Sequence, residues 1–192
     1  MAIILDGTTG ITAPDITSAA GLDAADLTGT VASARLPAGS VIQVVSTTKT
    51  DVFSSTATSY TDITGMSLSI TPISASSKIL FLASMTIGSA PTNIIMTFRV
   101  VRGATVINVG DARSGFGQAT IGGARGVYDT NGTNTVPLLF LDSPNTTAST
   151  TYKIQGFGEG GTFKINTAGA DASGSVWSYT SASTITLMEI AG

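Results

Sequence analysis

The sequence predicts an all-β chain: an antiparallel β-sandwich or jelly roll over residues 41–192, preceded by an extended segment over residues 1–40. Three observations carry that prediction. Thr and Ser supply 31 and 22 of the 192 residues, and Thr, with its branched Cβ, packs well on a pleated surface. Only 11% of residues are charged while 42% are hydrophobic, so the chain can bury a core and yet covers its surface with hydroxyls. From Val41 onward, short runs with a period of two recur between turn residues, and no stretch keeps a period near 3.6.

Residues 1–40 sustain neither period. "DGTTG" and "APD" are turn signals, and "TSAAGLDAADL" has room for one short helical turn. In "LTGTVASARLP" the apolar residues Leu27, Val31 and Leu36 are spaced too widely to make a core. Alone, such a segment could not offset roughly 1–2 kcal/mol of backbone entropy per ordered residue. "SVIQVVSTTK" then reads as a strand, and "TDVFSSTATSYTDI" as a turn-rich link. "GMSLSITPIS" alternates, with Met66, Leu68 and Ile70 on the side opposite Ser67, Ser69 and Thr71.

"SKILFLASMTIG" places Ile79, Phe81, Ala83, Met85 and Ile87 on one face, and "TNIIMTFRVVRG" does the same with Ile94, Met96, Phe98 and Val100. Both strands are partly apolar on the second face as well, which calls for a covering neighbour. "ATVINVG" reads as a hairpin partner across Arg102-Gly103, and residues 111–135 read as a long Gly-rich stretch. Strands resume with "VPLLFLDS", "TTYKIQGFG", "GTFKINTAG" and "STITLMEIAG", making about nine in all.

Charge and composition exclude several functions. Residues 1–40 hold four Asp against one Arg, and residues 41–192 hold eight acidic and eight basic residues. Without a basic excess there is no footprint for a phosphate backbone, so no nucleic-acid partner is expected. A weakly charged, nearly neutral domain tends to associate. The amino terminus has no basic region followed by a long apolar run, so no secretory signal is expected. "ILFLASMTIGSA" is too short to span a bilayer, so no membrane insertion is expected either.

His and Cys are both absent. Ser-His-Asp triads, Cys nucleophiles and zinc sites built on imidazole or thiolate therefore drop out. A pair of carboxylates, as in glycoside hydrolysis, is the chemistry left. The candidates are Asp51, Asp62, Asp111, Asp129, Asp142, Asp171, Glu159 and Glu189, and no motif singles one out. "YDTNGTNT" lacks the bidentate carboxylate of a calcium loop, because the twelfth position is Phe140. Its Asn131-Gly132 suits a tight hairpin turn instead. "GFGEGGTFK" does not end in Gly-Lys-Ser/Thr and reads as a flexible hairpin. No enzyme, metal or cofactor is expected. The candidate contact residues are Arg113, Phe116, Arg125, Tyr128, Trp177 and Tyr179, all in or beside expected loops, where aromatic faces and guanidinium groups suit carbohydrate or protein.

"MAIILDGTTGITAPD" resembles the start of fibre proteins of tailed bacteriophages, of the type infecting cyanobacteria and marine bacteria. "LTGTVASARLP" resembles the short repeat of their shafts, and "GSVIQVVSTTKTD" with the strands up to residue 90 is similar to the head domain that follows such repeats. The resemblance implies a homotrimer with Leu27, Val31 and Leu36 on the threefold axis. It implies attachment to other virion proteins through residues 1–40, a head over residues 41–192 that contacts a host cell-surface glycan, and a virion location after synthesis in the host cytoplasm. One departure stands out: such fibres often carry many repeats, and this chain has one clear repeat. A capsid-decorating or baseplate protein without receptor recognition is the alternative, and a carboxylate-dependent polysaccharide hydrolase a more distant one.

Overall fold

The computed structural model describes residues 35–92, 94–125, 131–170 and 179–192. Eleven strands occur there: β1 (Val41–Lys49), β2 (Phe53–Ser55), β3 (Thr61–Ile70), β4 (Lys78–Ala90), β5 (Ile95–Arg102), β6 (Thr105–Ile107), β7 (Ile121–Arg125), β8 (Asn134–Asp142), β9 (Thr150–Glu159), β10 (Thr162–Ile165) and β11 (Ser183–Ile190). The ladders between them are antiparallel. Among the described residues there is no helix long and apolar enough to cross a membrane.

The strands form two sheets. The first runs β1-β11-β4-β8, with β10 continuing the β11 rank along β4 and β2 pairing β10. The second runs β3-β9-β5, with β6 and β7 sharing the far side of β5. Sequence-distant strands lie side by side, β1 beside β11 and β3 beside β9, and the chain crosses repeatedly between sheets. This is the double Greek-key order of a jelly roll.

Period-two patterning sets the core. Ile79, Phe81, Met85 and Ile87 of β4 are fully buried against Met96, Phe98 and Val100 of β5, while the residues between them on β4 face outward. Met66 and Ile70 are buried and Ser67 and Ser69 exposed, as the alternation requires. Two buried rings, Phe98 and Phe163, meet edge to face with centroids 6.3 Å apart. They close over the bare backbone of Gly156, where a Cβ would lie 2.9 Å from the Phe163 ring.

Four expectations need correction. Phe53–Ser55 forms β2 inside the stretch read as a link, since a single apolar residue left no period to detect. Ile121–Arg125 forms β7 inside the Gly-rich stretch, pairing β5 through an irregular register with Gly123 at a φ of 71°. The glycines around Phe157 do not serve a flexible hairpin. Gly156 and Gly158 are buried strand positions, and Gly160-Gly161 turns a corner between β9 and β10, which lie in opposite sheets. Asn131-Gly132 likewise links β7 to β8 across sheets rather than within a hairpin. The Arg102-Gly103 turn does make the expected hairpin, with Arg102 opposite Thr105 and Gly103 at a φ of 58°.

Residues Ser33–Gly192 form one compact unit. At its start, Gly39 N–H donates to the Ala191 carbonyl and Ala191 N–H to the Ser40 carbonyl, both at 2.8 Å. The beginning of the sandwich is thus tied to the end of β11. A second tie is Asn166, fully buried with a left-handed φ of 65° that Asn tolerates better than most residues. Its amide donates to the carbonyls of Lys49 (2.8 Å) and Asp51 (3.0 Å), and its Oδ1 accepts from Ser183 Oγ (2.6 Å).

Candidate functional site

The outer face of the second sheet carries a linked row of charged and amide side chains. Alternation points Arg99 of β5, Lys153 and Gln155 of β9, and Asp62 of β3 outward, and the register puts Asp62, Gln155 and Arg99 in one row across three strands. Arg99 Nε donates to Gln155 Oε1 at 2.7 Å, and Gln155 Nε2 donates to Asp62 Oδ1 at 2.6 Å. Lys153 Nζ donates to Asp62 Oδ2 at 2.8 Å. The hydrogen bond from Lys153, then that from Gln155, and the positive charges of Lys153 and Arg99 hold the Asp62 carboxyl below the usual carboxylate range.

Tyr60 lies across this row. The Arg99 guanidinium sits 4.1 Å from its ring centre, and the Phe157 ring lies 6.0 Å away on β9. The Tyr60 hydroxyl donates to the carbonyl of Gln118 at 3.4 Å, which links the face to the loop of residues 108–120 between β6 and β7. That loop is pinned at its exit: Thr120 Oγ1 accepts from Val100 N–H (3.0 Å) and donates to the Ile107 carbonyl (3.2 Å). Gln118 Nε2 donates across it to the Gly110 carbonyl at 2.6 Å.

Within the loop, Phe116 N–H donates to the Arg113 carbonyl in a turn, and the Arg113 guanidinium stacks 4.4 Å from the Phe116 ring centre. Phe116 is 63% exposed. The fold therefore brings Arg113 and Phe116 together on a braced loop beside Tyr60 and Arg99. It does not bring Tyr179 to them: that side chain, 71% exposed, sits beside the Thr167–Thr180 bridge that follows β10 of the first sheet. Arg125 ends β7 opposite Ile95. Tyr128 and Trp177, and the axis residues Leu27 and Val31, lie outside the described residues. Leu36 lines a depression together with Ile42, Ile73 and Ala191 of its own chain.

Tyr60, Asp62, Arg99, Lys153 and Gln155 escaped sequence reasoning as contact residues. Their only signal was polar spacing on alternate strand positions, and nothing local links Tyr60 to Arg99.

Two of the candidate carboxylates, Asp142 and Glu189, are engaged structurally. Asp142 receives Arg102 Nη1 on both oxygens, at 2.8 and 2.7 Å, and the buried Tyr152 hydroxyl at 2.6 Å. This joins β8 of the first sheet to β5 and β9 of the second. Burial first, then the neighbouring Asp142, push the Tyr152 phenol above its usual range, while the hydrogen bond to Asp142 raises the Arg102 guanidinium. Glu189 is fully buried, and its Oε1 accepts from the N–H of Ile73 at 2.8 Å. Burial pushes this carboxyl up, but bonds from Gln43 and the backbone of Ile73 and Ser74 outweigh it and hold it below its ordinary value. Glu189 and Asp142 share an inner row with the fully buried Ile79 between them, so the space between the two carboxylates is not open to a substrate. Asp129 and Asp171 lie outside the described residues, and among those described no three Asp or Glu cluster as metal ligands.

No protein-family model matches the sequence, and no curated protein matches it. Among solved structures, the chain is similar to that of infectious bursal disease virus Gt strain, at 14% identity and a TM-score of 0.42, covering 78% of this chain and 42% of that one. It is also similar to the VP2 subviral particle of infectious bursal disease virus, at 13% identity and a TM-score of 0.38, covering 79% of this chain and 39% of that one. The chain thus spans less than half the length of those proteins.

Proposed function

We propose that this chain is a structural protein of a phage virion: a homotrimeric fibre in which residues 1–40 dock to the particle and the jelly roll is carried outward. The observation that carries the reading is the shaft-like "LTGTVASARLP" running directly into a sandwich with a charge-poor, hydroxyl-rich surface. A segment with apolar residues so sparse gains order only when several copies bury Leu27, Val31 and Leu36 together. The receptor-facing part is the braced 108–120 loop with the neighbouring face, where the Arg113–Phe116 stack and Tyr60 offer aromatic surface and Arg99, Gln155 and Asp62 offer hydrogen bonds. That mixture suits the apolar face and hydroxyl edges of a host glycan.

Light scattering on the full chain and on residues 41–192 tests the proposal. A full-chain mass near three times 19.3 kDa is expected. A monomeric full chain would leave the shaft-like segment without a physical reason and would overturn the fibre reading.

A further inference from the structure

We infer that the outer face of the first sheet packs against a second copy of this chain. The inference names the contact surface of the oligomer proposed above and rests on that proposal. Residues paired across an antiparallel ladder point to the same side, so the register fixes what this face presents. One row reads Val44, Met188, Leu80, Leu141 across β1, β11, β4 and β8. The next reads Ser46, Thr186, Leu82, Leu139, and the one after it Thr48, Thr184, Ser84, Pro137.

These rows hold aliphatic side chains and hydroxyls and not one charge. Val44 is 53% exposed, Leu139 66% and Leu141 51%. Large aliphatic side chains exposed side by side in this way mark a contact surface rather than ordinary scatter. The outer face of the second sheet is the opposite: its row holds Asp62, Gln155 and Arg99, bound to one another.

A second copy is the occupant that this chemistry fits. The face needs a partner that is itself aliphatic, hydroxyl-bearing and uncharged, and each copy of the chain supplies such a face. The only charge among the described residues of these four strands on this side is Lys78, exposed at the start of β4 beside Ile190, so it stands at the rim of the patch and the three central rows of two copies meet without burying a charge. The size also agrees. Four strands about 4.8 Å apart and roughly 30 Å long give a flat area of about 600 Å², before side-chain relief, against about 800 Å² that each partner contributes to a standard interface.

The chain has no Cys, so a single Ser→Cys substitution takes one spin label per copy. Ser84→Cys places it on the exposed centre of the first sheet and Ser67→Cys on the exposed outer face of the second. In the full-chain oligomer, electron–electron distance measurement should give a shorter distance between copies at position 84 than at 67. Adding Leu139→Glu to Ser84→Cys should lengthen or abolish it, with the far-ultraviolet circular dichroism unchanged because Leu139 is exposed within the single chain. An oligomer in which position 67 gives the shorter distance, or in which Leu139→Glu leaves the position-84 distance unmoved, overturns this interface and leaves the fibre reading standing. Labelled Ser84→Cys and Ser67→Cys chains that both run as monomers in light scattering and give no distance between copies overturn both.

Discussion

Glu189 shows how a single carboxylate can hold a corner of the sandwich. It sits on the inner side of β11, and its acceptors take up N–H groups of the Ile73–Ser74 turn that precedes β4, along with the Gln43 amide of β1. Because its folded-state value lies below the ordinary 4.5, its contribution is fully present above that pH and fades as pH falls through the lowered value. Glu189→Gln should therefore destabilise the neutral-pH protein by roughly 1–3 kcal/mol, the cost of buried polar groups left poorly matched. It should also flatten the loss of stability below pH 4.5, measured by urea unfolding across pH. An unchanged acid limb would show that Glu189 does not govern it. The residue scale also explains a Gly-rich run that reads as loose: Gly156 is bare because Phe163 and Phe98 lie against it, and its neighbours' flexibility is irrelevant.

Among the elements, the 108–120 loop is exposed along most of its length. Its braces, Thr120 to the Val100 amide and Gln118 to the Gly110 carbonyl, lie at the edge of the second sheet. Replacing Arg113 and Phe116 together by Ala should leave the unfolding midpoint within about 0.5 kcal/mol of wild type while abolishing binding to host cells, read by fluorescence of labelled protein on the cell surface. Retained binding would move the contact site elsewhere. Strands with three or more alternating apolar residues, such as Met66–Ile70 and Ile79–Ile87, were legible because burial imposes the period. β2 and β7 were not, since one carries a lone Phe53 and the other is rich in glycine. Which sheet a strand joins was hidden too: alternation says that a face is buried and is silent on its partner, so the β9–β10 corner read as a hairpin. Arg113 and Phe116 were legible as loop residues with chemistry to offer, whereas the contact of Tyr60 with Arg99 depends on β9 lying between β3 and β5.

Among the described residues the two outer faces differ in kind, one with aliphatic and hydroxyl rows at its centre, the other a linked row of Asp, Gln and Arg with an aromatic side chain across it. Composition gave the average of the two, and only the register separates them. The joint between Gly39, Ser40 and Ala191 has a mechanical consequence. Tension drawn along the chain from residue 35 reaches those two hydrogen bonds first. Behind them β1 is an edge strand with β11 as its ladder partner, so a pull away from the sheet loads one pair at a time, like a zip, as far as the Asn166 bond to the Lys49 carbonyl at its end. An optical trap pulling between residue 35 and Gly103 should record an early low-force step that releases the nine residues of β1 and closes again on slackening. A single high-force rupture of the whole sandwich would show the edge to be locked. A sandwich hinged in this way would absorb a shock by peeling one strand and recover its shape when the strain passes.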